Sequence, residues 1–243
     1  MLEKLAARGF EIEFHSHARA ILSQDFPEAL AELDEVFSAV AIPISEIIGS
    51  GGGEAAGTQR MRRALADKGW EKVNFEIEKI VNGVKRASIS HEIDHVKSWD
   101  GAGTLALEIE WNNKDPFFDR DLENFKRLHA EGAISAGIIV TRGASLQAEL
   151  KSAVLRFARE NRIASFDDLV QYEVTPTRRQ RGAVEARVMR GTAFEEAWSS
   201  FFVSDKFGEA TTHWRKLQDR VHRGVGNPCP LLLIGLPAGL ITF

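Results

Sequence analysis

Glu92-Ile-Asp-His-Val-Lys97, the turn Asp100-Gly-Ala-Gly103 and Leu105-Ala-Leu-Glu-Ile-Glu-Trp111 together decide how this chain reads. Ile89, Ile93, Leu105, Leu107, Ile109 and Trp111 all fall on odd positions around the turn, the period-two signature of a β-hairpin with one buried face. Because side chains alternate along a strand, Glu92, Asp94 and Val96 share the other face of the first arm, and Ala106, Glu108 and Glu110 that of the second. Keeping the apolar sets together requires paired positions whose numbers sum to an even value, such as Asp94 opposite Glu108 or Glu110, and the acids then converge on one side. Like charges across a sheet repel, and a divalent oxygen-seeking cation would offset them. Mg2+ takes one or two carboxylates and leaves room for a phosphate oxygen, so the pattern reads as metal-assisted phosphoryl chemistry. On spacing alone the same acids also read as the solvated face of an ordinary hairpin.

Outward from the hairpin, the period changes. Leu30, Leu33, Val36, Phe37 and Val40 predict a helix over Pro27–Val40. Met61, Ala64 and Leu65 predict a second over Thr58–Lys68, with Arg60, Arg62 and Arg63 as a solvated basic face. Helices are expected over Phe117–Glu131, Leu146–Asn161, Ala193–Val203 and Thr211–His222, and apolar strands over Ala136–Thr141 and Leu231–Gly235. Pro176-Thr-Arg-Arg-Gln-Arg-Gly182 reads as a basic loop between breakers, and Gly51-Gly-Gly53 as a flexible connection near DNA or a partner subunit. The expected fold is α/β or α+β, a mixed central sheet with an active-site hairpin flanked by helices, in one domain spanning residues 1–243.

Composition narrows the partners. The chain has 243 residues, 44% of them apolar, which is enough for a substantial core and excludes a disordered tail or a stapled mini-protein. With 31 Lys+Arg against 35 Asp+Glu the formal charge is −4, so no global positive field advertises nucleic acid, and any such binding must use local patches. Cys229, the single cysteine, can form no internal disulfide and lacks paired zinc-ligand spacing. It reads as a buried thiol in a reducing, cytoplasmic setting. Charged residues within Met1–Phe14 are unlike a signal peptide, and Leu231–Ile241 is too short and too broken to cross a membrane. His15 and His17 lie on an irregular segment with no third ligand spaced for zinc, and Glu54 and Glu76 read as surface or capping acids.

Glu92-Ile-Asp-His-Val-Lys97 followed by Leu107-Glu-Ile-Glu-Trp111 resembles the active-site hairpin of type II restriction endonucleases in the BglII/BstYI group, within the PD-(D/E)XK nuclease superfamily. Leu65-Ala-Asp-Lys-Gly-Trp70, Asp119-Arg-Asp-Leu122 and Arg223-Gly-Val-Gly-Asn-Pro-Cys-Pro-Leu-Leu-Leu-Ile-Gly235 are similar to that group in the same order, while residues around 145–209 have no counterpart and are expected as a family-specific insertion. The resemblance implies a Mg2+-dependent, sequence-specific endonuclease, with Mn2+ able to substitute. It would leave 5′-phosphate and 3′-hydroxyl ends on double-stranded DNA, acting as a homodimer on a palindromic site beside a cognate DNA methyltransferase. It also implies Asp94 and Glu108 as metal ligands and Glu110 as the third catalytic position. That position is usually Lys in the superfamily and similar to Gln in this group, so Glu110 is a departure. Lys97 or Lys114 is then a candidate for the missing positive charge, and Asp100 a rival for the first metal ligand because the hairpin loop is longer than in the similar sequences.

For reading DNA, Asn112, Asn113 and Lys114 follow the second strand directly; Asn suits adenine and Lys guanine, although two Asn before Asp115-Pro116 also suit a plain turn. Arg178, Arg179 and Arg181 form the densest basic patch, and Arg142 ends a strand near the acids, so these are candidate phosphate contacts. A structure-specific repair nuclease and a non-catalytic DNA-binding module on the same fold are the alternatives.

Overall fold

The structure, a computed structural model, describes residues 1–49 and 54–243, with the side chains of 86–89 outside that description. The glycine run at 51–53 and the Ile89 side chain therefore lie outside the described residues. In chain order the elements are α1 (Glu3–Ala7), β1 (Glu11–His15), α2 (Ala18–Asp25), α3 (Pro27–Ser38), β2 (Ile42–Pro43), α4 (Ile44–Ile48), α5 (Ala56–Ala66), β3 (Glu71–Val81) and β4 (Val84–Trp99). There follow β5 (Gly103–Glu110), α6 (Phe117–Ala130), β6 (Ala136–Arg142), α7 (Ala144–Glu160), α8 (Arg178–Val188), α9 (Phe194–Lys206), α10 (Trp214–His222), β7 (Leu231–Leu236) and β8 (Ile241–Thr242).

Six strands form one mixed sheet in the order β1-β7-β6-β5-β4-β3. β5, β6 and β7 run parallel, and the other neighbours pair antiparallel. The three parallel strands are covered on both faces, which is why Ala136–Arg142 and Leu231–Leu236 read as near-continuous apolar runs. One face packs Leu105, Leu107, Ile138, Val140, Leu232 and Ile234 against α3, α5 and α7. The other packs Ala106, Ile139, Leu231 and Leu233 against Phe118, Leu122, Phe125 and Leu128 of α6 and Trp214, Leu217 and Val221 of α10. Residues from 145 to 209 contribute Leu150, Val154, Leu169, Val184 and Trp198 to the first of these cores.

The central hairpin keeps the expected even-sum register, with His95 opposite Leu107 and Val96 opposite Ala106 across the turn at residues 100–103. Three expectations are corrected. Ile93 does not share a face with Leu107 and Ile109: it packs with Val96 and Ala106 against α6. The cause is an irregularity in which β4 advances three residues, Ile93 to Val96, while β3 advances two, Val73 to Glu71, so the extra residue reverses the alternation. The basic stretch after Pro176 is not a loop. Thr177 caps α8 through a capping box with Gln180, and the three arginines occupy its first turns. Glu11–His15 is an edge strand paired to β7 rather than an irregular segment.

Candidate active site

β5 brings Glu108 and Glu110 to the side of the sheet that faces α6, and the first turns of α6 bring Asp121 against them. All three are buried, at 4%, 2% and 1% exposure, whereas the Asp94 side chain on β4 stays 54% exposed. Asp94 meets Glu108 through its backbone, its N–H donating to Glu108 Oε1 at 3.4 Å. Glu110 Oε2 accepts from Asn113 Nδ2 at 2.7 Å, and Glu110 Oε1 lies 3.5 Å from Arg120 Nη2. Arg120 also pairs with Asp121 Oδ1 through Nε at 2.8 Å and Nη2 at 2.7 Å.

Buried like charges resist ionisation, and these side chains show it. Burial, then the charges of Asp121, Asp94 and Glu110, holds the Glu108 carboxyl well above the usual glutamate range. Burial and Asp121 lift Glu110 to about 8. Burial also raises Asp121, with Arg120 pulling the other way. Asp121 Oδ2 is buried with no hydrogen-bond partner. An orphaned carboxylate oxygen inside a set of hard oxygen donors suits a Mg2+-type cation. Among the described residues no three His, Cys, Asp or Glu side chains already surround one point as a cage.

Asp121 was missed by sequence reasoning, although Asp119-Arg-Asp-Leu122 was already conspicuous. The motif divides by function of each side chain. Asp119 Oδ2 and Asp115 Oδ2 accept from Arg220, fixing α10 to α6 at 2.8 and 3.1 Å. Arg120 and Asp121 belong to the acids, and Leu122 belongs to the core. The signal available was helical spacing: Asp121 sits three residues after Phe118 and four before Phe125, both buried, so it falls on the apolar stripe of α6.

The basic candidates are redistributed. Lys97 is committed elsewhere, with its Nζ 2.5 Å from Glu32 Oε1, 2.6 Å from Lys68 O and 4.9 Å from the Trp99 ring, so it cannot complement the acids. Lys114 is exposed, and its backbone forms a bridge with Thr211. The cation against Asp94 is one the sequence reading overlooked: Lys72 of β3, whose Nζ is 2.7 Å from Glu92 Oε1 and 3.5 Å from Asp94 Oδ1. Asp100 lies in the hairpin turn, at the opposite end of β5 from Glu110. Glu54 forms a surface pair with Arg62, and Glu76 is exposed on β3.

Asn112, Asn113 and Lys114 leave β5 beside Glu110 and are braced by a distant segment. Thr212 N donates to Asn113 O at 2.8 Å, Asn113 N donates to Thr212 Oγ1 at 3.1 Å, and Asp115 N donates to Ala210 O at 3.0 Å. Arg142 is not a surface phosphate contact. It is fully buried, donates to Thr212 O and Thr211 Oγ1, each at 2.6 Å through Nη2, and stacks 5.0 Å from the Phe207 ring. Burial lowers its guanidinium to about 9. Its place is behind the braced segment, where β6 ends. In α8, Arg179 pairs with Asp205 and Arg181 stacks on Phe166 at 4.8 Å, which leaves Arg178 as the arginine of the three with no ion-pair or ring partner among the described residues. Arg60 and Arg62 pair with Glu46 and Glu54 on the surface of α5, the solvated face expected of them. Cys229 is buried, and burial pushes its thiol up to about 12, so it is chemically inert.

Residues 10–236 match the family described as restriction endonuclease BglII/BglIII. No curated protein matches the chain. No helix among the described residues is long and apolar enough to cross a membrane.

Proposed function

The chain belongs to the restriction endonuclease BglII/BglIII family of type II, site-specific deoxyribonucleases, and from that premise we propose that Asp94, Glu108 and Glu110 form its cleavage centre, with Asp121 behind them. The observation that carries this is the burial of three carboxyls, Glu108, Glu110 and Asp121, beside a half-exposed Asp94. A fold does not keep such a repulsive set in its interior for stability alone.

Asp94 and Glu108 would hold Mg2+, with Mn2+ able to substitute. When bound, such an ion makes a water more acidic and offsets charge that builds on the phosphoryl oxygens. Glu110 takes the proton of the attacking water. A carboxyl whose proton affinity is raised towards neutrality is a stronger base than an ordinary glutamate. Asn113 and Arg120 fix the orientation of that carboxylate. The water oxygen bonds to phosphorus as the bond to the 3′ oxygen breaks, and that oxygen takes a proton from solvent water, giving a 5′-phosphate and a 3′-hydroxyl. Asn112 and Lys114 would read base edges next to the cut, Asn113 being committed to Glu110, and Arg178 is the available contact to phosphate in α8. A homodimer on a palindromic site, one subunit for each strand, a companion methyltransferase and a cytoplasmic setting complete the proposal.

Incubating the purified chain with plasmid DNA in Mg2+, in Mn2+ and in a chelator tests this directly. Cleavage should require the cation, and Asp94→Asn and Glu108→Gln should each lower the rate by at least about 10²-fold. Undiminished cleavage in chelator, or by both variants, would refute the assignment.

A further inference from the structure

We infer that Lys72 is a phosphate-binding residue of the cleavage centre: its ammonium, held by Glu92 and Asp94 in the protein alone, takes a non-bridging oxygen of the DNA phosphate that enters beside Asp94. The inference rests on the reading of Asp94, Glu108 and Glu110 as that centre.

A polyanion approaching this site meets Glu92, Asp94, Glu108, Glu110 and Asp121, and at least one cation must move to receive it. Arg120 is not available, since it is tied to Glu110 and twice to buried Asp121. Removing it would strand a buried carboxylate. Lys97 is tied to Glu32 and the Lys68 carbonyl. The Lys114 side chain makes no ion pair with the acids among the described residues. Lys72 differs from all of these. Its side chain is 55% exposed and its partners Glu92 and Asp94 are 61% and 54% exposed, so its ion pairs are surface contacts that each contribute little and exchange readily.

Backbone geometry puts it there. In the β3–β4 ladder Glu71 pairs with Val96 and Val73 with Ile93, and Lys72 falls in the interval between them, where the register shifts. This irregularity, which also turns Ile93 onto the α6 side, sets Lys72 Nζ 3.5 Å from Asp94 Oδ1. A cation next to Asp94 lies within reach of a phosphate oxygen that approaches the same carboxylate. Its flexible four-carbon stem lets the ammonium follow the phosphate as a point charge, a common role for lysine.

The test uses the full chain, Lys72→Met and Lys72→Arg, with a duplex carrying the sequence found at the ends of wild-type digestion fragments. With Ca2+ in place of Mg2+, the slope of log affinity against log salt should shrink by about one in Lys72→Met, as for one lost phosphate contact. Single-turnover cleavage in Mg2+ should fall by about 10²-fold, and Lys72→Arg should recover part of both losses. Mn2+ affinity of Lys72→Met without DNA should equal or exceed that of wild type, because a competing positive charge has gone. An unchanged salt slope with wild-type cleavage by Lys72→Met would overturn the inference. So would a loss of cleavage explained entirely by weaker Mn2+ binding. Wild-type protein that cuts no DNA would instead overturn the reading on which the inference rests.

Discussion

Glu110 shows how one strand position acquires a raised proton affinity. Alternation sends it to the α6 side, burial and Asp121 lift its carboxyl from 4.5 to about 8, and Asn113 and Arg120 hold it there. A carboxyl raised on folding binds more protons in the folded than in the unfolded state. Its contribution to stability is therefore present at low pH and lost as pH rises from about 4.5 through about 8. Glu108 and Asp121 act in the same direction. His91, His95 and His213, all lowered by burial, act in the opposite one, so the decisive comparison is between wild type and Glu110→Gln rather than wild type alone. Metal-free Tm should fall more steeply for wild type than for Glu110→Gln between about pH 5 and about pH 8, and Asp121→Asn should move the Glu110 part of that fall to lower pH. Parallel Tm profiles would show that no such conflict exists. A strand's period of two placed Glu108 and Glu110 on one side of β5, whereas Asp94 lies where β4 departs from that period. Asp121 reaches them from a helix, and only the packing of α6 on the sheet brings the two periods together.

Among the elements, α8 carries the clearest lesson. Pro176 and Gly182 suggested a loop, yet Thr177 and Gln180 exchange hydrogen bonds that satisfy otherwise open backbone groups and start a helix. Thr177→Ala should lower unfolding stability by about 1 kcal/mol in urea titrations. β3 falls within the strand-period stretch from Val73 to Trp111 but is not set apart from the hairpin, because Glu71–Val81 is mostly exposed and mixes charged and apolar residues, with only Val73, Phe75 and Ile77 partly buried against the core. Lys72 was lost to view with it. α6 is held to the sheet by a close approach at Gly137, where a Cβ would stand 2.3 Å from Phe125 Cδ2. Gly137→Ala should therefore cost about 1–3 kcal/mol of stability and, by displacing the helix that carries Asp121, lower cleavage as well. Unchanged stability and rate would show that Phe125 can give way without moving α6.

Across the whole molecule, the site is assembled from segments far apart in sequence, which is where reading from local pattern fails. Asn113, Arg142 and Thr212 come from the exit of β5, the end of β6 and the approach to α10, and they meet in one braced segment beside the acids. Nothing local in Arg142 distinguished a surface contact from a buried brace; its burial follows from Phe207 and Thr211–Thr212 closing over it. Thr212→Val, which removes the acceptor for Asn113 N–H, should cost about 1 kcal/mol and speed hydrogen exchange at the Asn113 amide. The mixed sheet and its helical layers were legible from apolar periodicity, and the central hairpin from its turn and its register. The central claim is that this assembly cuts DNA at defined sites through Asp94. Digestion of a large sequenced DNA in Mg2+ by wild type and Asp94→Asn in parallel, with the fragment ends sequenced, tests it most directly. The account predicts discrete fragments sharing one sequence and carrying 5′-phosphates from wild type alone; a smear, or identical cutting by Asp94→Asn, would contradict it.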